Sequence, residues 1–282
     1  MERFLRRRLG AAPDHVHKLL RQGRVLAAGR PLRRGHRVRA GEPVELSPPR
    51  GKRPPPLPNR KLTLRLLHED VDLVAVDKPA PLAVHPGPGH GSDTLLNGLV
   101  ARYPELLELG AARSYGLAHR LDAGTSGVLV IGRSLRGYEG LVAAFRAREV
   151  DKEYCALVRG APPRPRGEVT APVGGKEALT RYELVARAGP VSWLRLKPIS
   201  GRTHQLRIHL ASLGCPVLAD PRHGEGLCEL TARLYLKRLA LHARRLSLLH
   251  PVRGDRLALA SGVPARLRKA WRRAWRLAGE PA

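Results

Sequence analysis

The chain has 282 residues, 43% of them hydrophobic, and carries 51 lysines and arginines against 24 acidic residues, a net charge of +27 at pH 7. That length suits one catalytic domain with a small appended module, the hydrophobic share excludes a disordered chain, and no run approaches the roughly 18 apolar residues of a membrane span. The charge excess is too one-sided for a surface of balanced ion pairs and points to a polyanionic partner, nucleic acid ahead of an anionic membrane surface. The three cysteines, Cys155, Cys215 and Cys228, form no CxxC pair, so they read as reduced, buried thiols rather than ligands or disulfides. The start, MERFLRRRLG, is basic without the apolar stretch of a secretory signal, and a cytoplasmic location is expected.

In chain order, Phe4, Leu5 and Leu9 fit one face of a first helix. A second helix begins at Pro13, a favoured first-turn residue, turns Val16, Leu19 and Leu20 inward and stops at Gly23. Short strands at Arg24–Leu26 and Val44–Leu46 are separated by glycine turns. Arg21, Arg24, Arg30, Arg33 and Arg34 stud this module, with Arg37 and Arg39 beyond them. The segments RFLRRRL, HKLLRQGRV, AGRPL and RAGEPVEL resemble an S-four-type RNA-binding domain over residues 1–46, although the first helix lacks the usual leucine-aspartate start. The resemblance implies that these arginines contact RNA; the alternative is an arginine-rich surface with no ligand. Residues 47–61, SPPRGKRPPPLPNRK, read as a stiff, extended linker.

Residues 62–282 then read as the catalytic domain. Leu73–Asp77 is a buried strand, and Ser92 or Asp93 caps a helix carrying Leu95, Leu96, Leu99 and Val100. Gly127–Ile131 is a second buried strand, followed by a helix capped by Ser134 with Leu135, Tyr138, Leu141, Val142 and Phe145 on one face. Lys152–Val158 and Val191–Lys197 alternate as strands, Thr203–Leu213 reads as a helix ended by Gly214, and Pro264 opens a last helix with Leu267, Trp271 and Ala274 inward. Strands and helices mix without a βαβ rhythm, so the expected class is α+β with a largely antiparallel sheet.

Two segments could carry chemistry. In HRLDAGTSG (His119–Gly127) a carboxylate sits in a glycine turn at the mouth of a buried strand, where catalytic groups tend to sit; by itself such an aspartate is more often a turn former than a nucleophile. In PISGRTHQLRIH (Pro198–His209), Arg202 falls at the start of a helix, from which a guanidinium can fork onto a carboxylate. His204 and His209 are spaced i, i+5 without an acidic companion, which argues for satisfied imidazoles and against zinc.

Together these segments resemble the RluA family of pseudouridine synthases. VAVDKPAPLAVHPG, DKEYCALVRG and RLALHARRLSLLHP follow in that family's order, and the resemblance spans residues 62 to 255. It implies that Asp122 is the nucleophile, that Arg202 holds its carboxylate ionised, that Tyr154 lies against the target base, and that Arg120 enters the RNA where a flipped base had been. The partner is then structured RNA, ribosomal RNA of the large subunit before transfer RNA. The reaction, an isomerisation of uridine, calls for no cofactor and no metal. The chain departs from the family pattern at Ile131–Ser134 and in ADPRHG (Ala219–Gly224), where the tyrosine usual before the glycine is replaced by His223. A non-catalytic RNA-binding scaffold would lack Asp122 or Arg202, and both are present. A methyltransferase would show a glycine-rich loop after its first strand, and none follows Leu73–Asp77. A membrane-surface protein would rest on the basic amphipathic last helix alone, which is short enough to dock on its own domain.

Overall fold

The structure is a computed structural model describing residues 2–279 except 11, 28, 38, 40, 48–53 and 88. The chain forms two compact units, Met1–Pro54 and Pro55–Ala282.

In the first unit, helices α1 (Glu2–Leu9) and α2 (Pro13–Arg21) accompany a three-stranded antiparallel sheet ordered β2 (Arg30–Pro31), β1 (Val25–Ala27), β3 (Val44–Leu46). Leu5, Val16, Leu19, Leu20, Val25, Ala27 and Leu32 close its core. The apolar face expected for the first helix is narrower than its sequence suggests: Leu5 is buried, but Phe4 is 46% and Leu9 38% exposed. A helix of two turns can turn only one side chain fully into so small a core.

The second unit is built on a nine-stranded sheet ordered β4-β5-β6-β11-β7-β10-β9-β8, with β12 added beside β11. The strands are β4 (Arg65–Glu69), β5 (Leu73–Lys78), β6 (Ser126–Gly132), β7 (Asp151–Arg159), β8 (Arg166–Val169), β9 (Thr180–Ala188), β10 (Val191–Pro198), β11 (Leu241–Leu249) and β12 (Arg256–Ala260). Every pairing is antiparallel except β6 with β11. The helices are α3 (Leu95–Arg102), α4 (Leu106–Leu109), α5 (Leu135–Ala147), α6 (Gln205–Ser212), α7 (Glu229–Arg233) and α8 (Ala265–Leu277), with a 3-10 turn at Ala111–Gly116. The protein is therefore a mixed α+β fold on a mostly antiparallel sheet, and among the described residues no helix is long and apolar enough to cross a membrane.

Local chemistry explains the starts of three helices. The cap of α3 is Thr94 rather than the expected Ser92 or Asp93: its backbone N–H donates to Asn97 Oδ1 at 3.1 Å. Asn97 Nδ2 in turn donates to the Leu57 carbonyl at 2.7 Å, and Asn59 N donates to the Asn97 carbonyl at 2.9 Å. The last residues of the proline-rich stretch are thus already bonded to the second unit. Ser134 caps α5 as expected, its hydroxyl accepting from Gly137 N at 3.0 Å. The helix expected from Thr203 starts two residues later, because His204 takes left-handed backbone angles (φ 57°, ψ 17°). Far from the α6 end, Asp70 Oδ2 takes hydrogen bonds from His68 Nε2 at 2.7 Å, His250 Nε2 at 3.0 Å and Arg253 Nη1 at 2.5 Å. This network ties the β4–β5 turn to the β11–β12 turn.

The parallel contact between β6 and β11 is what places the HRLDAGTSG turn. Gly127 pairs with Ala243 at φ +116°, a conformation open to glycine alone, and a Cβ there would overlap the Ala243 carbonyl oxygen. The second glycine of the motif is a demand of sheet closure. Gly127→Ala should lower stability by about 3 kcal/mol through overpacking and backbone strain together, read as a fall in denaturation midpoint; an unchanged midpoint would show that β6 and β11 can part at little cost.

Candidate active site

Asp122 lies in the turn that leads into β6, its carbonyl accepting from Thr125 N at 3.0 Å. Leu121 is buried in the core beneath. Lys78, at the end of β5, has no exposed surface, and its Nζ donates to the carbonyls of Pro79 at 2.9 Å, Leu82 at 2.8 Å and Ala123 at 3.2 Å. Burial pulls this ammonium down to about 7 against the attraction of Asp122, and Arg266 pushes the same way as burial. Lys78 therefore ties the loop that follows β5 to the Asp122 turn through three backbone carbonyls, a role that its position in VAVDKPAPLAVHPG did not announce.

The arginine that meets Asp122 is Arg207, not Arg202. Arg207 Nη1 donates to Asp122 Oδ2 at 3.0 Å. Its Nε and Nη2 form a two-pronged fork on Asp220 at 2.7 and 2.6 Å. Arg202 instead lies in the turn before α6, where its Nε donates to the Glu177 carbonyl at 3.1 Å and its backbone N–H to Gln205 Oε1 at 3.0 Å. The physical reason is the late start of α6: with Gln205 as its first residue, Arg207 falls in the first helical turn and is buried, while Arg202 stays on the loop outside.

Asp220 has no exposed surface and also accepts backbone N–H groups from Arg222 at 3.0 Å and His223 at 3.1 Å. Burial opposes its charge, but the hydrogen bonds from Arg207 and these amides hold its carboxyl below the usual carboxylate range. Burial likewise lowers the Arg207 guanidinium, and its bonds to Asp220 and Asp122 more than reverse this, so it stays charged. A buried arginine of this kind is tolerated only because its forks are filled.

Gln205 pins the adjoining loop: its Oε1 accepts from Ser200 Oγ at 2.7 Å, and its Nε2 donates to Leu179 O and Thr180 Oγ1, both at 3.0 Å. His209 is the satisfied core imidazole expected, bonded to Thr180 Oγ1 at 2.9 Å and Ala171 O at 2.8 Å. His204 is different, with its Nε2 3.8 Å from Asp122 Oδ1. His119, beside the motif's arginine, accepts from Val130 N at 3.1 Å and stacks on Phe145. Burial takes its imidazole down to about 3, so it is neutral.

These elements surround a cleft of about 520 Å³ lined by Asp122, Arg120, Tyr154, Arg202, His204 and Arg207 among others, a volume in the range of small-molecule sites. Arg146, Arg148 and Lys152 line it too, and among its described lining residues Asp122 is the only acidic one. Arg120 is exposed at the cleft and Arg202 half-buried. Tyr154, on β7, packs against two of the core clusters. Burial, and then the charge of Asp122, push its phenol above its ordinary value, so it is protonated at neutral pH. The cleft thus brings together Asp122, Tyr154, Arg120 and Arg202, and adds Arg207 and His204, with the buried Asp220 and Lys78 bonded to Arg207 and to the Asp122 turn from inside the protein.

In the first unit, Arg21, Arg33 and Arg34 line a groove of about 680 Å³ with Asp14 and His17. Arg34 Nε pairs with Glu2 at 3.0 Å and Arg24 Nε donates to the Ser47 carbonyl at 3.1 Å, while Arg30 is exposed on β2.

Residues 72–212 match the family model described as RNA pseudouridylate synthase. An uncharacterised RNA pseudouridine synthase of Mycobacterium bovis is 39% identical over 77% of this chain and 76% of its own. Ribosomal large subunit pseudouridine synthase D of Xanthomonas campestris is 38% identical over 74% of this chain and 68% of its own. Among solved structures, human RNA pseudouridylate synthase domain containing 4 superposes with a TM-score of 0.60 at 26% identity, covering 74% of this chain and 92% of that one. With a motif-bearing aspartate in a basic cleft and relatives of this similarity, the chain belongs to the RNA pseudouridylate synthase family.

Proposed function

We propose that this pseudouridine synthase uses Asp122 as its nucleophile on a uridine of structured RNA, and that the RNA is that of the large ribosomal subunit. The observation that carries the first part is a single carboxylate held by Arg207 in a cleft otherwise lined with cationic and neutral groups. A polyanion enters such a cleft readily, and Asp122, the one anionic side chain among its described lining residues, is the one the chemistry needs. The second part rests on relatives named for the large subunit, such as those of Xanthomonas campestris and Haemophilus ducreyi.

The reaction exchanges the bond between uracil N1 and ribose C1′ for one between uracil C5 and C1′, with loss of the C5 proton and gain of one at N1. The uridine must first leave its stack, at a cost of a few kcal/mol. Arg120, exposed at the cleft, fills the space it vacates. Asp122, aimed by Arg207, then attacks C1′ as the N1–C1′ bond breaks; the freed uracil turns, its C5 displaces the carboxylate from C1′, and the C5 proton passes to solvent while N1 takes one up. Tyr154, protonated and buried against the same cleft, gives a hydrogen bond to the departing base rather than removing a proton from it. The first unit, with its arginine-lined groove, acts as an S-four-type RNA-binding module that grips phosphates; such contacts set affinity and register more than sequence. With an RNA substrate, the site of action is the cytoplasm. No step requires a metal or a cofactor.

Asp122→Asn should keep its fold and RNA affinity and lose pseudouridine formation by at least about 1,000-fold, measured under single turnover on total RNA from cells lacking the gene; turnover near the wild-type level would remove Asp122 as nucleophile. The two arginines separate cleanly as well. Arg207→Lys cannot serve both carboxylates, so turnover should fall about 100-fold, whereas Arg202→Lys should stay within about threefold because its side chain meets only a backbone carbonyl. The reverse order would mean that Arg202 moves onto Asp122 when RNA binds. Deleting residues 1–54 should weaken RNA binding and flatten its salt dependence, since fewer counterions are released, while single-turnover rates at saturation persist. An unchanged salt slope would show that the first unit does not hold RNA.

A further inference from the structure

Resting on the reading of Asp122 as nucleophile, the residues around its second oxygen assign a role to a position where the sequence departs from the family pattern. Arg207 occupies Oδ2; Oδ1 faces His204 Nε2 at 3.8 Å. This is longer than a hydrogen bond, yet a small rotation of either side chain closes it, as happens when catalytic contacts tighten around substrate. His204 reaches that place only by holding left-handed backbone angles, a strained state for a residue with a Cβ. Its ring is fixed from behind. His204 Nδ1 lies 2.9 Å from His223 Nε2, with the rings edge to face, their centres 5.0 Å apart. The His223 backbone N–H is anchored on Asp220, the same carboxylate that forks Arg207.

The contact between two neutral imidazoles holds one proton. If His204 donated it, the bare lone pair of His204 Nε2 would face the Asp122 carboxylate. If His223 donates, His204 carries its proton on Nε2 and presents an N–H to Oδ1. Electrostatics selects the second arrangement. We propose that His223 is a positioning residue for the isomerisation: through His204 it delivers an N–H to Asp122 Oδ1, so that both carboxylate oxygens are oriented from the one buried Asp220 hub.

The pair also makes the nucleophile sensitive to acid. Facing it are Asp122 and Asp220, which favour a further proton, and Arg207 and Arg222, which oppose one. Burial comes first among the causes, and both imidazoles lie below their ordinary value. The pair is therefore neutral at pH 7 and charges only below the usual histidine value of about 6.5. A cation beside Asp122 stabilises the carboxylate before attack more than during it, so the rate falls as the pair takes up its proton.

The test compares wild type, His223→Phe and His223→Gln in single-turnover pseudouridine formation on total RNA from cells lacking the gene, from pH 5 to 9. His223→Phe should be about tenfold slower at pH 7.5, the effect of one lost charge-assisted hydrogen bond, with unchanged RNA affinity and melting temperature and a displaced acid limb. His223→Gln keeps an N–H within reach of His204 Nδ1 and should recover the neutral rate to within about threefold, with the acid limb still displaced. A His223→Phe variant with the wild-type rate and pH profile overturns the inference. So does a slow variant whose pH profile is unchanged and which glutamine does not rescue, because that is a packing defect. An active Asp122→Asn enzyme would instead remove the nucleophile reading on which all this rests, whereas an inactive one beside an unaffected His223→Phe removes only the role of His223.

Discussion

The site depends on one guanidinium held between two carboxylates. Arg207 donates three hydrogen bonds, two to the fully buried Asp220 and one to Asp122. Asp220 is the fixed end: it lies inside the protein and is tied by backbone amides as well as by the fork. Asp122 is the open end, in a turn at the cleft. Lysine could not make this arrangement, since its point charge lacks the planar set of donors that spans both partners. The triad costs desolvation, and such buried ionic groups rarely add net stability; its place beside the cleft argues for positioning as its use.

The rest of the fold delivers these groups to one place. The parallel step between β6 and β11 brings the Asp122 turn beside the central strands, with Gly127 against the Ala243 backbone. From behind, Lys78 collects the carbonyls of Pro79, Leu82 and Ala123. From the opposite side, Gln205 fastens the loop between β10 and α6 onto Leu179 and Thr180, so that α6 begins where Arg207 can reach inward. Each of these contacts is a buried polar group with its partners supplied, as an interior of low polarity requires. The cleft's remaining charge is overwhelmingly positive, and it suits a phosphodiester chain.

Much of this was legible in the amino-acid order. The buried strands at Leu73 and Gly127, the Ser134 cap and the last helix follow from apolar runs, capping chemistry and periodicity, and HRLDAGTSG singles out Asp122 by its resemblance to known synthases. Strands β4, β8, β9, β11 and β12 were not, because each sets arginine among short apolar stretches, and their pairing depends on partners elsewhere in the chain. Arg202 and Arg207 sit five residues apart in one motif, and only the left-handed turn at His204 decides which of them points inward. A usable signal existed: a buried arginine needs a buried carboxylate, and Asp220, in the otherwise apolar VLAD segment after α6, is such a partner. The link from His223 to His204 had no such signal, since it joins two loops whose approach only the fold reveals.

An isomerase of RNA that works through Asp122 must leave a trace in the cell's own RNA. The most direct test maps pseudouridines across total RNA from cells lacking the gene, and from the same cells carrying either the wild-type or the Asp122→Asn gene. One or a few pseudouridines in large-subunit ribosomal RNA should vanish with the gene and return only with the wild-type copy. An unaltered map, or sites restored by Asp122→Asn, would contradict the assignment of this aspartate and its chemistry.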